Sequence, residues 1–145
     1  RFDLFCINEK GEQERIVMIH AAIMGSIERF MSVLIEHVSG NFPLWLAPVQ
    51  VKIIPVRENH NEYAKEIAQL LKVNNIRVDL DDSDGNLGGK VRDAKNNKIP
   101  YLIVIGDKEI EAGKVTLESR EAGQLGQISK EELVSKFLEE IKNKK

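Results

Sequence analysis

The sequence predicts an α/β fold: a small three-layer domain with a mixed sheet, beginning near residue 49. From Val49 onward, segments with strand and helix patterns alternate in the order β-α-β-α-β-β-α. Strands joined through helices pair in parallel with right-handed crossovers, whereas a strand that follows a short turn pairs antiparallel. In addition, residues Tyr101 to Ile105 (YLIVI) form a continuous apolar run, which is typical of a strand covered on both faces.

Length and composition fit one globular domain with a substantial appendage. The chain has 145 residues, of which 42% are hydrophobic and 30% charged. Cys6 is the only cysteine, which excludes an internal disulfide and fits a reducing compartment, so we expect a cytoplasmic protein. The apolar stretches are too short to span a membrane. Because the chain enters strand-like sequence directly at Arg1, without a signal peptide, we expect it to be a piece of a longer protein.

The first region is predicted to be a β-hairpin followed by a helix. Arg1 to Ile7 has a strand pattern, and Arg15 to Ile19 is its predicted partner across a turn at residues 9–12. Apolar residues then recur at helical spacing: Ile23, Met24, Ile27, Phe30, Met31, Leu34, Ile35 and Val38. Gly40 is placed to end this helix. The linker Asn41 to Pro48 is apolar enough that we expect it to pack against both regions.

The second region begins with a β-branched strand at Val51 to Val56. A helix is predicted over residues 59–73, with Tyr63, Ala64, Ile67, Leu70 and Leu71 facing inward. A second strand follows at Ile76 to Leu80, and a second helix at Leu87 to Asn96.

After the apolar run, Gly106-Asp107-Lys108 is predicted to form a turn, and Lys114 to Arg120 an edge-like strand. Ser129 and Glu132 have the spacing of a capping box, which predicts the start of the last helix. Ligands of open α/β sheets favour the carboxyl ends of the strands. The loops near residues 81–88 and 106–113 are therefore the predicted ligand edge.

Overall charge does not indicate nucleic-acid binding. The formal net charge is −2, whereas domains that bind nucleic acid are usually basic. The local basic cluster consists of Lys90, Arg92, Lys95 and Lys98. The alternative is that these basic residues only form a solvent-exposed helix face, without a binding role.

Four separated runs carry a family resemblance: MIHAAIMGSIERF at 18–30, FPLWLAPVQV at 42–51, GGKVR at 88–92 and KIPYLIVIGDKE at 98–109. In order and in spacing the chain resembles the threonyl-tRNA synthetases (threonine–tRNA ligases) over essentially its whole length. The resemblance implies that residues 43–145 are a three-layer anticodon-binding domain, with a mixed, mainly parallel sheet of about five strands flanked by helices. Residues 1–42 would be a β-hairpin and helix from the end of a class II catalytic domain, including its motif 3.

The implied function is recognition of the anticodon loop of threonine tRNA. The full-length enzymes of this family attach threonine to its tRNA with ATP, and they are homodimers. The implied partner is therefore a tRNA, not DNA or a membrane. Because the other catalytic motifs of the family precede residue 1, we expect no catalysis by this chain alone.

Two residues of the first region match catalytic positions of the family. His20 lies where the family places a zinc ligand, but the other two zinc ligands lie upstream, so we expect weak zinc binding or none. Arg29 matches the motif 3 arginine that holds ATP, a task suited to a planar guanidinium. Ala21 departs from the family, which usually has arginine there.

Four residues of the second region match positions near the anticodon. Glu109 matches a glutamate that helps to recognise an anticodon base in the family. A carboxylate suits this role because it accepts hydrogen bonds from base edges. Three basic residues match phosphate-contacting positions: Arg92, Lys90 and Lys98.

The predicted RNA surface is more acidic than in the family, because Ser83 and Asp84 replace part of a basic loop and Glu118 replaces a strand arginine. These departures leave an alternative open: a non-enzymatic interaction or scaffold domain that has kept the fold and lost anticodon recognition.

Overall fold

The computed structural model describes residues 3–22 and 24–144. Arg1 and Phe2 of the predicted first strand, and Ile23 of the predicted helical stripe, lie outside these residues. The chain divides into two compact units, residues 1–34 and residues 35–145, and each is described by itself.

The first unit contains a short antiparallel hairpin, as predicted. Strands β1 (Phe5–Ile7) and β2 (Gln13–Arg15) pair with Phe5 opposite Arg15. The Oδ1 atom of Asn8 accepts hydrogen bonds from two turn amides, which fixes the turn. The predicted extent of the second strand is wrong: residues 16–20 have no regular structure, and the last hydrogen bond to the first strand runs from the Ile16 amide to the Leu4 carbonyl, at 3.0 Å.

Helix α1 (Ile27–His37) follows, and none of its residues is buried. It ends where predicted. Ser39 and Gly40 both adopt left-handed backbone conformations with φ of 51° and 72°, and the Gly40 amide donates to the Ile35 carbonyl at 2.9 Å. Within residues 3–22 and 24–144, no helix combines the length and apolar character needed to cross a membrane.

The second unit is built on a five-stranded mixed sheet in the order β4-β3-β5-β6-β7. Its strands are β3 (Val51–Pro55), β4 (Val78–Leu80), β5 (Tyr101–Ile105), β6 (Val115–Ser119) and β7 (Gly123–Ile128). The β3 strand pairs in parallel with β4 and β5, whereas β6 pairs antiparallel with both β5 and β7. Only β6 therefore opposes the common strand direction, which confirms the mixed, mainly parallel sheet.

Helices cover both faces of the sheet, giving the predicted three layers. They are α2 (Asn61–Val73), α3 (Leu87–Asn96), α4 (Asp107–Ala112) and α5 (Lys130–Lys142). Leu71 of α2 and Phe137 of α5 belong to the large core, with Ile53 and Ile103 of the sheet. On the opposite face, Ala94 of α3 packs in a smaller cluster. From the linker, Leu44 and Ala47 are buried.

Three local predictions for this unit are wrong. Gly106-Asp107-Lys108 begins helix α4 rather than a simple turn, because Glu109 accepts the Gly106 amide and caps a helical turn. β6 is an interior strand, since β7 pairs with its outer edge. β7 itself was not predicted.

The capping box of α5 is confirmed. Ser129 Oγ accepts from the Glu132 amide at 3.2 Å, and Glu132 Oε2 accepts from the Ser129 amide at 3.0 Å. Two backbone donors at the helix start are thereby satisfied.

Phe137 is the largest fully buried side chain, and its ring centroid lies 4.9 Å from that of Tyr101. We expect Phe137→Ala to lower the free energy of unfolding by about 3–5 kcal/mol, because the substitution leaves a cavity. Leu138→Ala on the same helix is the control. Its side chain is 43% exposed, and we expect a loss below about 1 kcal/mol in urea unfolding. Equal losses would contradict the assigned core.

Candidate nucleic-acid interface

The carboxyl ends of three parallel strands meet at one edge of the sheet. Ile53 of β3 lies opposite Leu80 of β4, and Pro55 lies opposite Ile105 of β5. The segments that leave this edge are the 3₁₀ turn Glu58–His60, the loop at 81–86, and helix α4 after Gly106. Both loops predicted as the ligand edge therefore begin here.

Glu109 on α4 is held by hydrogen bonds from three directions. Its Oε2 accepts from the Gly106 amide at 2.9 Å. Its Oε1 accepts from Thr116 Oγ1 at 2.6 Å and from Gln127 Nε2 at 3.3 Å. Partial burial raises the pKa of Glu109, but these three hydrogen bonds outweigh it and lower the pKa below its ordinary value. The carboxylate is thus ionised at neutral pH.

His60 fixes the start of α4. The imidazole is 1% exposed, and its Nδ1 accepts from the Arg57 amide at 3.2 Å. Its Nε2 then carries the proton and donates to Asp107 Oδ1 at 2.9 Å. The hydrogen bond from His60 lowers the pKa of Asp107. His60 was not predicted as a site residue, because it falls inside the predicted helix 59–73 and its partner Asp107 is distant in sequence.

One side of β6 and β7 carries polar residues, and we call this surface the open sheet face. It consists of Thr116 and Glu118 on β6 and Gln124 and Gln127 on β7. Thr116 lies opposite Gln127, and Glu118 opposite Gln124, so each pair shares the same face. Alternation along β6 places Val115 and Leu117 in the large core, on the other side.

The open sheet face is bounded by α3. Lys95 Nζ of α3 lies 2.8 Å from Glu118 Oε1. Glu118, whose negative charge departs from the family pattern, therefore has a cationic partner in the structure. A hollow of about 430 Å³ adjoins this pair. Its lining includes Ala94, Lys95, Ile99, Leu102, Glu118 and Arg120.

The three basic residues that were predicted to contact phosphate differ in their surroundings. Arg92 is exposed on α3. Lys98 is also exposed, and its Nζ donates to the Ser39 carbonyl. Lys90 is 8% exposed, and its Nζ donates to the carbonyl oxygens of Asp81 at 2.9 Å and Ser83 at 2.5 Å. To contact a phosphate, Lys90 would have to break these two hydrogen bonds.

Lys52 lies at the centre of an ionic cluster that the sequence analysis missed. The side chain sits on β3 and is 7% exposed as a residue. Its Nζ lies 3.1 Å from Asp79 Oδ2, 3.3 Å from Asp81 Oδ2 and 3.7 Å from Asp93 Oδ2. Burial lowers the pKa of Lys52, but the carboxylates of Asp79 and Asp81 raise it above its ordinary value. The ammonium therefore stays charged inside the fold.

Most of the second unit matches a known protein family. Residues 50–140 match the family model described as "Anticodon binding domain". The chain belongs to the anticodon-binding domain family. This family assignment agrees with the resemblance found in the sequence, and it covers every strand of the five-stranded sheet.

The relatives of this anticodon-binding domain are longer proteins. The chain is 50% identical over 144 residues to a threonine–tRNA ligase of Clostridium botulinum, covering 99% of this chain and 23% of that protein. It is 48% identical to a threonine–tRNA ligase of Caldanaerobacter subterraneus, covering 99% of this chain and 22% of the relative. The chain thus spans less than a quarter of these relatives.

A solved structure supports the same fold. It is the crystal structure of the RNA binding domain of threonyl-tRNA synthetase from Cryptosporidium parvum Iowa II. The match has a TM-score of 0.76 and 34% sequence identity, and it covers 90% of this chain and 33% of that one.

His20 and Arg29 lie in the first unit, outside the segment that matches the anticodon-binding domain. Both are exposed, His20 in an irregular segment beside Ala21 and Arg29 on α1. Zinc sites in proteins use three or four side-chain ligands. No group of three His, Cys, Asp or Glu residues suited to a metal occurs in residues 3–22 and 24–144, so the described residues do not fit a zinc site.

Asp81 makes the domain acid-sensitive. Burial raises its pKa, but hydrogen bonds from Ser83 and Lys52 and the charge of Lys90 lower it from 3.8 to about 2. The ionised form therefore stabilises the folded chain above about pH 4, and this stabilisation is lost as the pH falls towards 2. The expected size is about 2 kcal/mol.

The test is urea unfolding of the unmodified chain and Asp81→Asn at about pH 5 and about pH 2. We expect the gap in unfolding free energy between the two proteins to shrink by about 2 kcal/mol at the lower pH. A gap that does not change with pH would contradict the assigned role of Asp81.

Proposed function

We propose that this chain is the part of a threonine–tRNA ligase that recognises the anticodon of threonine tRNA. The proposal is supported by membership of the anticodon-binding domain family and by relatives that are threonine–tRNA ligases. One structural observation carries it further: the ionised carboxylate of Glu109 is held beside the open sheet face by residues of that face and by the Gly106 amide.

The chemistry suits unpaired bases. Proteins recognise RNA sequence mainly in loops whose bases are splayed out and present their edges. Carboxylate oxygens accept hydrogen bonds from base amino and imino groups, and the side-chain amides of Gln124 and Gln127 both donate and accept. Because Thr116 and Gln127 already fix Glu109, little side-chain entropy is lost on binding.

Phosphate contacts are proposed for exposed cations beside this face. Arg92 and Lys98 are both exposed, although Lys98 also donates to the Ser39 carbonyl. The net charge of −2 provides little long-range attraction, so binding must rest on these local groups. Each phosphate contact in a single-stranded segment contributes about 0.7 to the slope of log affinity against log salt.

For the full-length protein we propose attachment of threonine to its tRNA with ATP, in the cytoplasm and as a homodimer. Residues 1–42 would be the end of the class II catalytic domain, and residues 43–145 the anticodon-binding domain. Arg29 would contribute to ATP binding, because a guanidinium both stacks on adenine and stabilises phosphate charge. His20 would supply a single zinc ligand to a site whose remaining ligands lie elsewhere in the longer protein.

The chain alone is expected to form no threonyl adenylate, since it spans less than a quarter of the threonine–tRNA ligases that it matches. The measurement is exchange of labelled pyrophosphate into ATP in the presence of threonine. Threonine-dependent exchange by the purified chain would overturn this part of the proposal.

Anticodon preference tests the central proposal. We expect tighter binding of the chain to a threonine-tRNA anticodon stem-loop than to the same stem-loop with a changed anticodon, measured by fluorescence anisotropy. Glu109→Gln should reduce this preference about tenfold, because a carboxamide oxygen replaces a charged acceptor. Glu111→Gln, an exposed position on the same helix, should retain the preference.

A second function has specific support. Glu118 places a carboxylate on the open sheet face, and Ser83 and Asp84 occupy the loop that follows β4. A non-enzymatic interaction or scaffold domain would tolerate this acidity, since it need not bind a polyanion. Equal, weak binding of both stem-loops, unaffected by Glu109→Gln, would support this alternative and contradict anticodon recognition.

A further inference from the structure

Lys90 is a lysine whose ammonium is held inside the protein by two hydrogen bonds and one ion pair. A lysine ammonium has three N–H donors and is rarely buried unless it is paired. Lys90 is 8% exposed. Three oxygens surround its Nζ: the carbonyls of Asp81 and Ser83, at 2.9 and 2.5 Å, and Asp81 Oδ1 at 3.4 Å. The number of oxygens equals the number of donors.

Asp81 connects this ammonium to a second one. Its Oδ2 lies 3.3 Å from Lys52 Nζ, and its Oδ1 lies 3.4 Å from Lys90 Nζ. Ser83 Oγ also donates to Asp81 Oδ1, at 2.5 Å. The segment that leaves β4 is therefore fastened to β3 through Lys52 and to α3 through Lys90.

This fastened segment leads directly into the helix that borders the open sheet face. Asn86 is the N-cap of α3, and its Oδ1 accepts from the Gly89 amide at 2.8 Å. Lys90 lies in the first turns of the same helix and reaches back to the loop that precedes it. A Cβ atom at Gly85 would lie 3.4 Å from Lys90 Cε, so the loop is closely wrapped around this side chain.

We propose that Lys90 is a positioning residue, with Lys52 as its partner. Together they hold residues 81–86 in the conformation that the RNA surface requires, and Lys90 makes no phosphate contact. This inference deepens the proposed function and rests on it. It departs from the sequence-based expectation for Lys90, whereas Arg92, exposed on the same helix, keeps its expected phosphate contact.

Salt dependence separates the two roles. Affinity for the threonine anticodon stem-loop is measured at several salt concentrations for the chain, Lys90→Met and Arg92→Met. Arg92→Met should lower the slope of log affinity against log salt by about 0.7. Lys90→Met should leave the slope unchanged and reduce the preference over a changed anticodon at least about fivefold. A reduced slope with full preference for Lys90→Met would overturn the proposal.

Asp81→Asn tests the same idea without altering a lysine. The substitution removes the carboxylate shared by Lys52 and Lys90. If Lys90 only positions the loop, Asp81→Asn should lower anticodon preference as Lys90→Met does. Tighter binding with unchanged preference, as expected if the released ammonium contacts phosphate, would contradict the proposal.

Hydrogen exchange distinguishes failure of this inference from failure of the proposed function. If the unmodified chain shows no anticodon preference, the proposed function fails. Amide exchange still tests positioning, without RNA, at the two hydrogen-bonded amides that bracket the loop: Asp81, which donates to the Ile53 carbonyl, and Gly89, which donates to Asn86 Oδ1. Their exchange should be at least about tenfold faster in Lys90→Met than in Arg92→Met. Equal exchange rates in the two variants would overturn positioning by Lys90, whatever the RNA measurements show.

Discussion

The second unit depends on one electrostatic constraint: the second residue of its most buried strand is a lysine. All five residues of β3 are buried, and the strand pairs with both β4 and β5. Burial of an unpaired ammonium costs several kcal/mol, so Lys52 requires carboxylate partners close to its side chain. Asp79 lies directly opposite Lys52 in the pairing of β4 with β3, and Asp81 follows two residues later. The charge of Lys52 thus favours the register of β4 on β3 in which Asp79 lies opposite Lys52.

The same constraint extends to the candidate RNA surface. Asp81 pairs with both Lys52 and Lys90. Residues 81–86, at the carboxyl edge of the sheet, pack around the Lys90 side chain. At the neighbouring strand, buried His60 fixes Asp107, and Glu109 follows on the same short helix. Buried polar groups therefore position both segments. Lys52 and Lys90 hold residues 81–86, which lead into α3 beside the open sheet face, and His60 holds the start of α4. The opposite face is occupied by the apolar core with α2 and α5.

The sequence predicted the elements that have a clear hydrophobic pattern. These are the helices whose apolar residues recur over several turns, and the strand that is a continuous apolar run. Helices α2, α3 and α5 and strand β5 fall where they were expected. β7 was missed because Gly123, Gly126 and two glutamines have low strand propensity. α4 was missed because six residues are too few to show helical periodicity. Lys52 and Lys90 were not expected to be buried, because their partners depend on tertiary pairing. The family and Glu109 came from resemblance, not from periodicity.

The central claim is that this chain recognises an anticodon through the open sheet face. The most direct measurement is mapping of backbone amide chemical shifts during titration of the ¹⁵N-labelled chain with the threonine anticodon stem-loop. We expect the largest shifts at Glu109, Thr116, Gln127 and residues 81–86, while amides of α5 around Phe137 change little. Largest shifts on α2 and α5, with the open sheet face unaffected, would contradict it.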